Sequence, residues 1–253
     1  MPLVGIITDD GELVESEVVL DEARGEGVAY GYPLSFWLDA LKERHLQGYS
    51  VSELVSETLR QGVIKRLFEY YDTPKSMWAR LRGTWLHAGA AEAVLRNPDI
   101  SQNGVIVEKR IISTLDGVTI SGQVDMYHRQ SGRLFDLKST KRVPSEPYES
   151  HLHQLGAYRW LITTAPPGDL KVNDIYVVYM TWDDIRIKQI DRDVKETWDD
   201  DSIVEVLRIG LDVLQEGDEL SVVPPKLFCN KKLCPWCPVA GICESLPEGR
   251  IKL

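Results

Sequence analysis

The chain has 253 residues, 43% hydrophobic and 27% charged, an ordinary composition for a globular protein with a core of its own. Its 19 Gly and 13 Pro recur without a period, which excludes collagen-like and low-complexity chains. No run approaches the ~18 apolar residues of a membrane span, and the mean hydropathy is −0.21. The formal net charge is −10, but residues 9–26 and 191–219 together carry −15, so the remainder sums to +5 and leaves a polyanion a restricted face to bind. The short apolar run at Met1–Ile7 has no basic flank and stops at Asp9 and Asp10, so no signal peptide is read and a cytoplasmic protein is expected.

In chain order, residues 1–30 read as an acidic strand pair or arm. From Tyr32 to Arg96 the pattern is helical: Leu34, Trp37, Leu38 and Leu41 recur at helical intervals, and Ser50 or Ser52 caps a start. A second helix is expected to run on through Leu67, Tyr70 and Tyr71 until Pro74 breaks it, and a third to span Lys75 to Leu95. Val105–Ile112, Val118–Tyr127 and Leu134–Ser139 are short β-branched segments separated by Asp116-Gly117 and Ser131-Gly132, which predicts two successive hairpins. A helix at Ser150–Thr163, a hairpin of Asp174–Thr181 with Ile185–Ile190, and an acidic amphipathic helix over 197–216 carrying Ile203, Leu207, Leu211 and Leu214 follow. This order predicts an α/β or α+β core with a C-terminal appendage.

The meander holds the most informative residues. Asp136 and Lys138 are two apart on one strand and share a face. One hairpin register puts Asp125 opposite Asp136 and the other puts it opposite Lys138; both leave all three on that face. Two close carboxylates need a proton or cation between them, and Mg²⁺ is commonly held by one or two carboxylates plus phosphate. A lysine beside the ion can position water or stabilise charge on phosphorus. An exposed Asp–Lys pair on a solvated strand would account for the same spacing.

Asp125 … Asp136-Leu137-Lys138 resembles the D…(D/E)xK core of the PD-(D/E)XK nuclease superfamily, with Val124 in the place of the proline. Three further matches, in the right order, resemble its RecB-like branch, which includes the iron–sulfur exonucleases of CRISPR and phage recombination systems. Gly83-Thr84-Trp85-Leu86-His87 with Glu92 is similar to the GxxxH…E motif, Gln154-Leu-Gly-Ala-Tyr158 to QxxxY, and Cys234-Pro-Trp-Cys237 … Cys243 to the C-terminal CxxCx₅C. The resemblance implies a restriction-endonuclease-like core, a mixed central sheet flanked by helices, with an N-terminal helical region. His87, Asp125, Asp136 and the Leu137 carbonyl would hold Mg²⁺ or Mn²⁺, Lys138 would position the attacking water, and Gln154 and Tyr158 would orient the scissile strand or order the lysine. Glu92 is expected at the edge of the site.

Arg80 and Arg82, with Lys65 and Arg66 and near Trp78 and Trp85, suit a groove that tracks a strand, as do Lys141 and Arg142 just past the catalytic strand. Solvated helix faces and buried tryptophans would explain the first group equally simply. The cysteines, Cys229, Cys234, Cys237 and Cys243, lie in one 15-residue window, which in a cytoplasmic protein argues for a metal site. Four sulfurs suit zinc or a [4Fe–4S] cluster. The resemblance favours the cluster, although the branch usually draws one cysteine from far upstream and here Cys229 takes that part. Pro235, Trp236 and Pro238 would stiffen and shield it.

The organisation expected is therefore an acidic arm (1–30), a nuclease core (31–220) with a helical insertion (31–96), and a metal-binding segment (221–253). The function expected is a metal-dependent DNA exonuclease acting on single-stranded or duplex ends in recombination, repair or CRISPR adaptation, with a partner protein from such a system and no membrane. The alternatives are a DNA-binding or assembly subunit of the same fold without activity, and a site-specific endonuclease.

Overall fold

The computed structural model describes residues 3–41, 48–101 and 104–252. In chain order its principal elements are β1 (Leu3–Ile7), β2 (Leu13–Glu15), α1 (Ser16–Glu26), α2 (Leu34–Ala40), β3 (Tyr49–Ser50), α3 (Leu59–Leu67), β4 (Tyr70–Asp72), α4 (Pro74–Leu95), β5 (Val105–Leu115), β6 (Val118–His128), β7 (Arg133–Ser139), α5 (Glu149–Thr164), β8 (Asp174–Met180), β9 (Ile185–Gln189), α6 (Asp200–Leu220) and α7 (Ala240–Ser245). The fold is a mixed α/β one, as the sequence predicts. Contacts group the chain into two units: residues 1–45, 57–82 and 212–253, and residues 46–56 and 83–211.

The first unit is built on a three-stranded sheet in the order β2-β1-β4, with β1 antiparallel to β2 and parallel to β4. Ile6, Val14, Val19, Ala23, Phe36, Trp37, Met77 and Leu81 form its core. Two expectations are corrected here. The strand pair at the N-terminus forms, but Ser16–Glu26 is a helix: Val19 and Ala23, four apart, are its buried face, and Gly27 closes it in the left-handed region at φ 82°. The helix before Pro74 ends at Leu67, and Tyr70 and Tyr71 lie in β4 instead. Pairing with β1 gives these aromatic residues the pleated surface they favour.

The second unit is a six-stranded mixed sheet. Its order is β9-β8-β7-β6-β3, with β5 pairing β6 as well. The predicted hairpins are present: β5 with β6, β6 with β7, and β8 with β9, the last pair joined to β7 by a parallel ladder. Ser50 caps the turn of helix after β3 in a capping box with Glu53.

How β6 shares its edges positions the site. β5 runs along the whole of one edge, from Val118 to His128. The other edge is divided: β7 pairs with Met126–His128, and β3 pairs with Ile120 and Ser121. Residues 122–125 have no ladder partner on that edge, so the sheet forks between β6 and β7.

Helix α5 covers the sheet beside this fork. From Leu155 to Ile162 it is buried on every side, Arg159 included, because it lies between layers. Two glycines permit the approach. A Cβ on Gly122 of β6 would stand 2.8 Å from Tyr158 and from Leu161, and one on Gly156 would stand 2.3 Å from Ile203 of α6. The apolar face predicted for α6 is buried as expected at Ile203, Leu207, Leu211 and Leu214.

Candidate functional site

The last ladder pair between β6 and β7 is Met126↔Phe135, so the next positions in register are Asp125 and Asp136. Of the two registers the sequence allows, the protein adopts the one that sets the aspartates opposite each other. Both side chains are buried at the fork. The separation of the strands there leaves the Leu137 N–H without a cross-strand carbonyl on β6, and Asp125 Oδ2 accepts it at 2.6 Å. That bond fixes the Asp125 carboxylate and turns its other oxygen toward α4.

On α4, His87 Nδ1 lies 3.1 Å from Asp125 Oδ1 and 3.5 Å from Glu108 Oε1. Burial works against charge on His87, but the hydrogen bonds it donates to Asp125 and Glu108 outweigh it and push its pKa up to about 10. Glu108 comes from β5 and is held by Gln123 Nε2 on its other oxygen. It was not singled out in the sequence, yet the signal was there. A two-residue turn at Asp116-Gly117 sets Lys109 against Val124 and therefore Glu108 against Asp125. The backbone of Glu108 is in the left-handed region at φ 47°, and the ladder skips it. A non-glycine residue held there marks local strain of the kind that gathers at functional sites.

Asp136 has the most telling environment. Among the described residues, its two carboxylate oxygens are the buried side-chain polar atoms that receive no hydrogen bond. Lys138 Nζ approaches Oδ2 to 2.8 Å as an ion pair. Burial pushes the pKa of Asp136 up to about 6; Lys138 opposes the shift and Asp125 adds to it. The ammonium of Lys138 donates to Gln154 Oε1 at 2.7 Å, and Gln154 Nε2 donates to Tyr158 OH at 2.8 Å. The direction of this relay is forced, since a lysine ammonium has no acceptor and must face the amide oxygen. Burial, with the charges of Asp136 and Asp125, holds the Tyr158 phenol far above the usual range, so it stays neutral.

Five residues along an α-helix turn the side chain by about 140° from His87, and Glu92 pairs with Arg96 at 2.7 Å on the exposed side. Lys141 and Arg142 are exposed just beyond β7. Arg80 is tied to the buried Asp72 at 2.5 Å and to Ser76, and Arg66 pairs with Asp218. Arg82 is half-buried on the same helix as Arg80.

The cysteines gather in the first unit. Burial raises the Cys229 thiol to about 11, and Cys234, Cys243 and Cys237 add to the shift; among the described residues no three of these sulfurs lie within 4.8 Å of one another. The shielding expected of Pro235 and Trp236 falls on side chains outside the described set.

Against this geometry stand the comparisons. The model of the PD-(D/E)XK nuclease superfamily matches residues 37–244, and the chain belongs to that superfamily. It is similar to the crystal structure of SSO0001, with 17% identity, a TM-score of 0.55 and coverage of 91% of this chain and 96% of that one. It is also similar to the crystal structure of a candidate exonuclease from Eubacterium rectale, with 13% identity, a TM-score of 0.34 and coverage of 84% and 81%. No curated protein matches it. The protein is thus a nuclease, and nucleases of this superfamily act on nucleic acid with divalent metals such as Mg²⁺ or Mn²⁺. The residues fit such an ion: one ligand atom each from His87, Glu108 and Asp125 lies within 4.8 Å of the other two, and the Asp136 carboxylate, paired with Lys138, is buried beside them. Among the described residues no helix is long and apolar enough to cross a membrane.

Proposed function

We propose that this nuclease is a divalent-metal-dependent DNA exonuclease of the RecB-like type, working in the cytoplasm in recombination, repair or CRISPR adaptation. The observation that carries the reading is the buried Asp136 carboxylate, paired with Lys138, beside the His87, Glu108 and Asp125 cluster. Two buried carboxylates, Asp125 and Asp136, with Glu108 beside them exceed the charge that Lys138 and His87 balance, which favours a bound cation. His87, Asp125, Asp136, the Leu137 carbonyl and Glu108 would hold Mg²⁺ or Mn²⁺. The ion supplies Lewis acidity to the phosphoryl group and charge for the leaving 3′ oxygen.

The protein's own groups do the rest. Lys138 directs its ammonium at the attacking water and the developing charge on phosphorus. Gln154 and Tyr158 hold that ammonium in place. Lys141 and Arg142 would neutralise backbone phosphates in the second unit, and Arg80 and Arg82 would do so in the first. The four cysteines would bind a [4Fe–4S] cluster, or else zinc, as a structural centre of the C-terminal segment. The motif order of the RecB-like branch supports the exonuclease and cluster readings.

The test uses end-labelled linear single strands and duplexes beside covalently closed circles, with Mg²⁺, Mn²⁺ or EDTA. Metal-dependent shortening of linear DNA with circles left intact is expected, and Asp136→Ala and Lys138→Ala should abolish it. Cleavage of circles would make the protein an endonuclease. Undiminished cleavage in both variants would overturn the mechanism. Iron, sulfide and zinc analysis of anaerobically purified protein decides the second centre.

A further inference from the structure

Arg60 on α3 is fully buried, and its guanidinium makes three contacts. Nε donates to Cys243 Sγ at 3.2 Å, Nη1 donates to the Pro224 carbonyl, and Nη2 donates to the Pro247 carbonyl at 3.0 Å. None of these three acceptors is a carboxylate. Two features of this arrangement point beyond packing. First, a guanidinium does not lose its proton in a protein, so its charge is permanent and must be balanced where it is buried. Carbonyl dipoles contribute, but the one acceptor here able to carry a full negative charge is the sulfur of Cys243. Second, Pro224 and Pro247 bracket the segment that holds all four cysteines. One side chain therefore grips the entry of that segment, its exit and its last cysteine.

We infer that Arg60 is the positioning residue of the cysteine metal centre: it closes the base of the segment and supplies the counter-charge to an anionic metal–tetrathiolate group through the Cys243 sulfur. The inference rests on the reading that the four cysteines hold a metal. Zinc and a [4Fe–4S] cluster share the chemistry it needs, since either leaves four thiolates with net negative charge. Donors aimed at ligating sulfurs tune such centres and orient their ligands. An arginine fork suits the task because its donors diverge toward three acceptors at once.

The experiment compares the full-length wild type with Arg60→Lys, Arg60→Met and Cys243→Ser, purified anaerobically. It reads metal and acid-labile sulfide per chain, the rate of metal release to a chelator and, where iron is found, the midpoint potential. Arg60→Lys keeps the charge with fewer contacts, and Arg60→Met keeps the bulk without the charge. The wild type should hold metal and Cys243→Ser should lose it. Release should be about tenfold faster in Arg60→Lys and faster still in Arg60→Met. An iron centre should shift to lower potential in Arg60→Met and stay near the wild-type value in Arg60→Lys. Wild-type protein without metal would refute the reading of the cysteines themselves. Metal in the wild type, with equal release from the Lys and Met variants or a wild-type rate in both, would refute the role of Arg60. Should Arg60→Met fail to fold, a wild-type release rate in Arg60→Lys would still refute it.

Discussion

Gly122 on β6 faces the ring of Tyr158 on α5 so closely that a single added Cβ would stand 2.8 Å from the ring's Cε1. Tyr158 is the far end of the relay that holds Lys138, so the absence of a side chain at Gly122 is coupled to the position of an ammonium on another strand. Gly122→Ala should push the ring outward and loosen Gln154, with a loss of about 10–100-fold in kcat and of about 1–3 kcal/mol in stability from overpacking. Single-turnover cleavage at saturating metal, beside urea unfolding, checks both. An unchanged kcat in a destabilised protein would mean that the relay does not set the position of the lysine.

Breaking the relay directly should be milder than removing its target. Gln154→Ala is expected to cost about 10–100-fold, the usual scale of an outer partner, while Lys138→Met should cost at least about 10²–10⁴-fold. Equal losses would place Gln154 against the substrate itself. The KM for DNA, which the relay role leaves unchanged, separates the two.

Glu108 sits where its backbone is strained and its carboxylate is useful. Asn tolerates the left-handed region better but is too short to reach His87. Glu108→Asn should therefore relieve up to about 1 kcal/mol of strain, forfeit the hydrogen bond from His87, and weaken Mn²⁺ binding about 10–100-fold. Calorimetric titration and unfolding on the same sample test the trade. Wild-type Mn²⁺ affinity would remove Glu108 from the ligand set.

The titrations predict a direction for metal-free stability. His87 is raised from 6.5 to about 10 in the folded protein: burial opposes the shift, and Asp125 and Glu108 outweigh it. A group raised on folding contributes in full below its unfolded pKa and loses that contribution as the pH climbs through the folded value. The His87 window is thus pH 6.5 to 10. Asp136, raised from 3.8 to about 6 chiefly by burial, behaves alike at lower pH: its contribution is complete below 3.8 and gone above 6. The Tm in EDTA should fall across both windows, and His87→Gln should flatten the upper one. A full alkaline slope in that variant would assign the loss to other groups. Since imidazole must be neutral to bind a cation, Mn²⁺ uptake near pH 8 should also release about one proton.

Much of the site could be read before the fold was known, because turns and strand periods fix which residues share a face. Asp125, Asp136 and Lys138 needed only a hairpin and a period of two. Glu108 needed the same arithmetic on the preceding hairpin, but its left-handed backbone and the ladder break around it depend on tertiary context. Ser16–Glu26 was obscured by its acid content, which hid the short Val19–Ala23 stripe. Tyr70 and Tyr71 read as a helix because their partner, β1, lies more than sixty residues earlier, and no local pattern reports a parallel pairing at that distance. Arg60 gave no signal at all: its acceptors are backbone carbonyls and a sulfur brought to it by folding.

The bond from the Leu137 amide to Asp125 has a consequence for how this lineage would decay. One oxygen of that carboxylate fastens two strands where their own pairing stops, so selection for a stable chain preserves the residue whether or not it still cuts anything. Asp136 has no such second employment. A descendant that gave up hydrolysis would shed Asp136 early and keep Asp125, and the former is the position to inspect when deciding whether a homologue is still a working enzyme.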